Sequence, residues 1–346
     1  MRQVELGRSG VRVAEWSLGT MTWGNQTPED DAHRQMDMAL EAGITLWDTA
    51  EMYPVNPVRA ETAGRSEAIL GRWLAARPGA RGRIVLATKI AGPGNVLRDR
   101  GFDPGAIRSA CEASLRRLRT DRIDLYQLHW PERSHYHFRR NWTFRPDADA
   151  AAVLGRMDDV LGALARLVEE GKVRAIGLSN ETAWGTTRWL DRAAATGGPR
   201  PETIQNEYSL LCRLYDTDLA EAAAMEGVTL LAFSPLGAGL LTGKYQDGAC
   251  PPGSRLAVGD GRLGGRLTPR ALAAVAAYRA LAAQAGMDPV HMALAWHRTR
   301  PFPSIPIFGA TDADQLAHIL RGLGARVDDD LAARIDEIHR DHPLPF

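Results

Sequence analysis

The chain has 346 residues, 45% of them apolar, enough for one α/β barrel or two smaller domains. Its 42 basic and 42 acidic residues cancel, so no global field recruits nucleic acid or an anionic membrane. Cys111, Cys212 and Cys250 lack metal-type spacing, the N-terminus MRQVELGRSG lacks an apolar signal core, and no run approaches a membrane span; these features read as a reduced, cytoplasmic chain.

In chain order, VELGRSGVRV reads as a hairpin around Gly7–Gly10, placed to plug the bottom of a barrel. Strands are then predicted at 15–18, 44–48, 84–88, 123–128, 175–178, 203–205, 229–233 and 304–307. Helical stretches lie between them at 30–41, 65–75, 104–118, 153–169, 183–194, 218–225, 271–285 and 289–298, and a further one at 313–320 follows the last strand. Strands alternating with helices imply a parallel sheet with crossover helices, and eight such units imply a closed (β/α)8 barrel. An amphipathic stretch at 328–339 adds a helix after the barrel. No linker or composition break appears, so the expectation is one barrel domain over residues 1–346. Three strand-to-helix connections are long: 51–64, 131–152 and 236–269. In a barrel all three share the C-terminal face, where active sites lie.

Only Lys89, Lys172 and Lys244 are lysine; every other basic residue is arginine. Codon bias explains the trend, yet a lysine can lose its proton where an arginine effectively cannot. The second strand ends in Asp48, the third runs into Lys89 and the fourth into His129, with Tyr53 in the loop after the second. Barrel strands lie about 5 Å apart, so these groups can converge. Together they suit proton transfer to an oxygen. A free phenol titrates near pH 10, and a neighbouring ammonium is expected to lower that value. Asp48 supplies the buried ammonium's counter-charge, and His129 can donate to a carbonyl. Singly, each has a structural reading as a turn acid, a packed histidine or a loop aromatic; their shared barrel face favours a site.

The stretches LGTMTWG (18–24), WDTAEMYP (47–54), ATK (87–89), IDLYQLHWP (123–131), EGKVRAIGLSN (170–180), QNEYSLL (205–211), FSPLGAGLLTGKY (233–245) and IFGATDADQL (307–316) occur in this order. In them the chain resembles the aldo-keto reductase superfamily, particularly the bacterial branch related to potassium-channel β subunits. The resemblance implies a catalytic tetrad of Asp48, Tyr53, Lys89 and His129, and NADPH bound without a Rossmann fold. No G-x-G-x-x-G follows the first strand, in keeping with this. It further implies that Ser179, Asn180 and Gln205 hold the nicotinamide carboxamide and that Phe233 stacks on the ring. Ser234, Pro235, Leu236 and Gly237 would line the pyrophosphate. Lys244 and Arg255 would reach phosphate oxygens, and Gly309, Thr311 and Gln315 would surround the adenosine 2′-phosphate and ribose. Thr20, Met21 and Gln26 would contribute from the first loop. The small residues of SPLGAG independently suit close approach of a phosphate. One departure concerns adenine: the family often has Glu-Asn where this chain has His318-Ile319, which weakens the expectation of NADP over NAD. Lys172 reads as structural.

Trp23, Tyr53, Trp130 and Trp142 are the candidates for the substrate pocket, and the aromatics of the 131–152 loop suit either a hydrophobic cover or plain packing. His135 and His137 have no completing ligand in sequence, so no metal is expected. The expected activity is NADPH-dependent reduction of a small aldehyde or ketone. Two alternatives stand beside it: a redox-sensing NADPH-binding module like the channel β subunits, and a Schiff-base enzyme using Lys89. Substrate identity and oligomeric state are left open.

Overall fold

A computed structural model describes residues 1–146 and 149–346; the expected 131–152 connection thus includes two residues, 147 and 148, outside the described ones. The chain opens with β1 (Gln3–Glu5) and β2 (Arg12–Ala14), an antiparallel pair in register Gln3 to Ala14. The barrel units follow as β3 (Ser17–Gly19), α1 (Glu29–Glu41), β4 (Leu46–Asp48), α2 (Arg65–Ala75), β5 (Val85–Ile90), α3 (Pro104–Leu118), β6 (Ile123–Leu128) and α4 (Ala150–Glu169). They continue as β7 (Val173–Ser179), α5 (Ala183–Thr196), β8 (Pro201–Glu207), α6 (Asp218–Glu226) and β9 (Thr229–Phe233). After β9 come α7 (Arg255–Val258), α8 (Pro269–Gln284), α9 (Pro289–Ala295), β10 (Ser304–Phe308), α10 (Ala313–Arg321) and α11 (Asp329–Asp341).

Strands β3 to β10 close into a parallel barrel in sequence order, with β10 returning to β3. This is the expected α/β barrel with its N-terminal hairpin and C-terminal helix. Strand ends lie within two residues of the expectation, and β6 and β9 match it; β7 and β8 run longer, and Lys89 falls inside β5 rather than after it. The helix expected at 289–298 ends at Ala295 and tightens into a 3₁₀ turn over Trp296–Thr299. The 236–269 connection also carries 3₁₀ turns and the short α7.

Local chemistry explains the helix starts. Asp103, Thr182, Thr268, Asp312 and Asp328 each cap a helix by accepting a backbone N–H three residues on. Pro104 and Pro269 fill first-turn positions that need no donor.

Strand period two then builds the site in layers. Leu46, Ala87, Leu125, Ala175, Leu231 and Ile305 form one apolar cluster with Leu6, Val11 and Val13 of the hairpin region. The hairpin thus closes the barrel bottom, as the sequence implied. Two residues further up the same faces, Leu46 gives way to Asp48, Ala87 to Lys89, Leu125 to Gln127 and Leu231 to Phe233. The interior therefore turns polar one layer above its plug.

Candidate active site

Lys89 is fully buried, and its ammonium has three protons and three acceptors. Nζ donates to Asp48 Oδ2 at 2.6 Å, to the Thr49 carbonyl at 2.8 Å and to Tyr53 Oη at 3.3 Å. It also lies 4.7 Å from the Tyr53 ring centroid. Asp48, 2% exposed, is fixed from its other oxygen: Oδ1 accepts from Gln127 Nε2 at 3.1 Å and Gln205 Nε2 at 2.8 Å. Buried ionised groups persist only with such partners. His129 sets its ring nearly perpendicular to Tyr53, centroids 5.9 Å apart. Its carbonyl accepts from Asn180 Nδ2 at 2.9 Å, which ties β6 to the end of β7.

Electrostatics depart from the sequence expectation at one point. Burial pushes the Tyr53 phenol above its ordinary value of 10; the Lys89 charge opposes this and the Asp48 charge reinforces it. The lysine was expected to win, but desolvation outweighs it. Burial alone would lower Lys89, yet Asp48 and Tyr53 together hold its ammonium above the usual range. Burial, with the Lys89 charge adding to it, holds His129 well below 6.5, so its imidazole is neutral at pH 7.

The structure brings Asp48, Tyr53, Lys89 and His129 together, with Trp130 against His129 at 5.0 Å between ring centroids. Phe138 of the following loop packs edge-on to Trp130, 6.2 Å away. Two expected pocket residues lie elsewhere. Trp23 is wholly buried, its Nε1 donating to Gln35 of α1 at 3.4 Å, and it presents no surface to a ligand. Trp142 is 58% exposed, beneath the Arg270 guanidinium of α8. His135 and His137 are buried side by side, and His137 Nε2 pairs with the Glu181 carbonyl, so their role here is packing.

Around the same barrel end sit the other expected residues. Thr20 donates through Oγ1 to the Asp48 carbonyl at 3.0 Å. Met21 is half-buried beside it, its carbonyl accepting from Val55 N. Gln26 Nε2 donates to the Gly253 carbonyl at 3.2 Å, linking the first loop to the one after β9. Ser179 Oγ donates to the Gln205 carbonyl at 2.8 Å. After Phe233, the backbone takes left-handed φ at Ser234 (52°), Gly237 (58°), Ala238 (58°) and Gly239 (93°). Pro235 and Leu236 span the first part of this turn. A Cβ on Gly237 would lie 2.9 Å from Leu211 Cδ1, so the turn needs glycine there. Lys244 and Arg255 are half-buried with no carboxylate partner among the described residues. Gly309 is exposed, and Gln315 Nε2 donates to Thr311 Oγ1 at 2.7 Å at the start of α10. Ile319 is buried in the core, and the His318 ring stacks on His291; neither offers an amide edge.

Residues 16–340 match the Aldo/keto reductase family. The chain belongs to that family. It is 42% identical to Protein tas of Escherichia coli (strain K12) over 353 residues, spanning all of this chain and 99% of that protein. It is 32% identical to a 6-dehydroglucose reductase of Novosphingobium aromaticivorans, over 93% of this chain and 90% of that one. A putative voltage-gated potassium channel subunit beta of Schizosaccharomyces pombe is 30% identical, over 98% and 93% of the two chains. As an aldo/keto reductase the protein is an oxidoreductase, of a family that generally uses NAD(P)H.

The residues present fit such a cofactor. Asn180 Oδ1 is buried without a partner, beside Ser179 and Gln205, an acceptor suited to a carboxamide NH2. The left-handed turn from Ser234 to Gly239 is of the kind whose N–H groups cradle phosphate, and Lys244 and Arg255, without a carboxylate partner among the described residues, would supply cations.

Sequence reasoning missed several members of this end of the barrel. Gln127 was findable: it lies two residues before His129 on the same strand face. Glu207 ends β8 and receives two arginines from different loops, Arg266 (Nε, 2.6 Å; Nη2, 2.9 Å) and Arg139 (Nη1, 3.0 Å). Both arginines are committed to Glu207.

Among the described residues no helix is long and apolar enough to cross a membrane.

Proposed function

We propose that the protein reduces an aldehyde or ketone to an alcohol with NADPH, using Tyr53 as the general acid. The observation that supports this most is the Lys89 ammonium held between Asp48 and Tyr53 at the polar end of the barrel. The nicotinamide, when bound, supplies a hydride to the carbonyl carbon. Asn180, Ser179 and Gln205 would hold its carboxamide, Phe233 would flank the ring, and Lys244 and Arg255 would hold phosphate.

The rest is the work of side chains. Tyr53 transfers its phenolic proton to the carbonyl oxygen as charge develops there. Lys89, already donating to Tyr53 Oη, stabilises the phenolate left behind, which regains its proton from water. Asp48 keeps the ammonium aimed, and Gln127 and Gln205 keep Asp48 aimed. The neutral His129 donates a ring N–H to the same carbonyl oxygen. Trp130 and Phe138 form an apolar wall that excludes water. The raised affinity of Lys89 for its proton argues against a Schiff-base role.

The test is oxidation of NADPH with aromatic, short aliphatic and sugar-derived aldehydes, the last because one relative is a 6-dehydroglucose reductase. Tyr53→Phe should lose roughly 100-fold or more in kcat while still binding NADPH. Unchanged turnover in that variant rejects Tyr53 as the acid. Negligible turnover by the wild type with every aldehyde, together with slow cofactor release, would instead favour the redox-sensing reading suggested by the channel-subunit relative.

A further inference from the structure

We propose that Asp288, His291 and His318 form a binding site for a transition-metal dication of the Zn²⁺ class. The three lie on the helical ring: Asp288 is the N-cap of α9, His291 lies within α9, and His318 lies on α10. Each offers one ligand atom, and the three atoms lie within 4.8 Å of one another. Asp288 and His291 stand three apart at the start of α9, a spacing that puts both side chains on one face. His318 arrives from the last turn of α10.

Each group is already oriented. Asp288 Oδ1 caps α9, accepting from Val290 N at 2.8 Å and His291 N at 3.3 Å. This leaves Oδ2 to project, and it lies 3.2 Å from His318 Nε2. That separation is close to the roughly 3.3 Å between ligand atoms held about 2.0–2.1 Å from a tetrahedral Zn²⁺. His291 Nε2 donates to the His318 carbonyl at 2.8 Å. A histidine whose one ring N–H is fixed on a backbone carbonyl presents its other nitrogen as a lone pair, the arrangement found at metal-ligating histidines. The two rings stack 4.9 Å apart at 25°. A Cβ on Gly322 would sit 1.9 Å from His291 Cδ2, so glycine there makes room for the ring. His318 is 39% exposed and can rotate to close the remaining gap. Its Nδ1 now faces Arg321 Nη2 at 3.2 Å; ligation through Nε2 puts a proton on Nδ1, and the exposed Arg321 then turns to solvent.

Two imidazoles and one carboxylate select borderline ions such as Zn²⁺, Co²⁺ or Ni²⁺ over Mg²⁺ and Ca²⁺, which prefer all-oxygen shells. Water completes the shell. The bound ion would clip α9 to α10.

The experiment titrates tag-free, metal-stripped full-length protein with ZnCl2 by calorimetry and with CoCl2 by visible absorption. The wild type should take up one equivalent and gain thermal stability. His291→Ala and His318→Ala should each weaken binding roughly tenfold or more. Asp288→Asn keeps the helix cap, since asparagine caps as well as aspartate, but removes the anionic ligand; it too should bind more weakly. Absence of binding to the wild type, or equal affinity in the wild type and the His291→Ala/His318→Ala double variant, overturns the site.

Discussion

Lys89 and Asp48 face each other across adjacent strands, Nζ to Oδ2 at 2.6 Å, both essentially without solvent contact. Such a pair costs desolvation, and its partners depend on one another. Lys89→Met leaves Asp48 a buried, uncompensated carboxylate, and unfolding free energy should fall by about 3–5 kcal/mol. The double variant Asp48→Asn/Lys89→Met removes both charges and should recover much of that stability while staying inactive. Urea unfolding of the three proteins checks this. Equal stability of the single and double variants would show that the pair is not coupled.

Tyr53 governs the pH profile of the proposed reaction. An acid works while protonated, that is, below its pKa. Burial lifts that pKa above 10 in the free enzyme, and His129 is neutral well below pH 6.5 and above. Neither group therefore titrates between about pH 6.5 and 9, and kcat/KM for reduction should be flat there. Alcohol oxidation needs the phenolate and should rise with pH over the same range. Steady-state rates in both directions test it; a reduction profile that halves near pH 7 contradicts the assignment.

Acid should unfold the protein through its buried neutral histidines. His129 sits well below 6.5, burial brings His135 and His137 each to about 4, and burial with the nearby Arg300 charge brings His297 to about 3. The unfolded chain binds these protons near pH 6.5, so it holds more protons than the fold below that pH. Stability is then complete above about 6.5 and falls as pH drops toward 4. Each histidine contributes roughly 1.4 kcal/mol per pH unit in that window. Unfolding at pH 7.5 and 5.0 should give a slope of several protons. A slope below one proton rules out the common origin.

The barrel and the meeting of Asp48, Tyr53, Lys89 and His129 at one end of it were legible because strand periodicity and barrel closure fix where Asp48, Lys89 and His129 point. Gln127 obeys the same rule and was visible in principle. Trp23 was misplaced because it sits in an irregular loop, where no period assigns a face; only packing against Gln35 and α1 does. The pairing of Arg139 and Arg266 with Glu207 joins loops far apart in sequence, and arginine is too common here for any one to stand out. The Tyr53 shift needed the depth of the pocket, since a nearby lysine and burial act in opposite directions.

Arg255 and Glu207 separate binding from folding. Among the described residues Arg255 has no carboxylate partner; Asn56, with its amide oxygen turned inward, accepts from Nε at 3.0 Å and Nη2 at 3.2 Å. Burial, with Arg266 and Arg139 nearby, lowers its pKa to about 10. A partly desolvated cation whose partner is a neutral amide oxygen adds little to the empty fold, so Arg255→Ala should lower stability by no more than about 1 kcal/mol. If it holds a cofactor phosphate, the same change should weaken NADPH binding roughly 10- to 100-fold and flatten its salt dependence. Glu207→Gln has the opposite signature. It strands Arg139 and Arg266, so melting temperature should drop and the loops after β6 and β9 should become easier to cleave by protease. Fluorescence titration with NADPH, thermal melts and limited proteolysis read the two variants side by side. A large loss of stability in Arg255→Ala, with NADPH affinity intact, would assign this arginine to the scaffold instead.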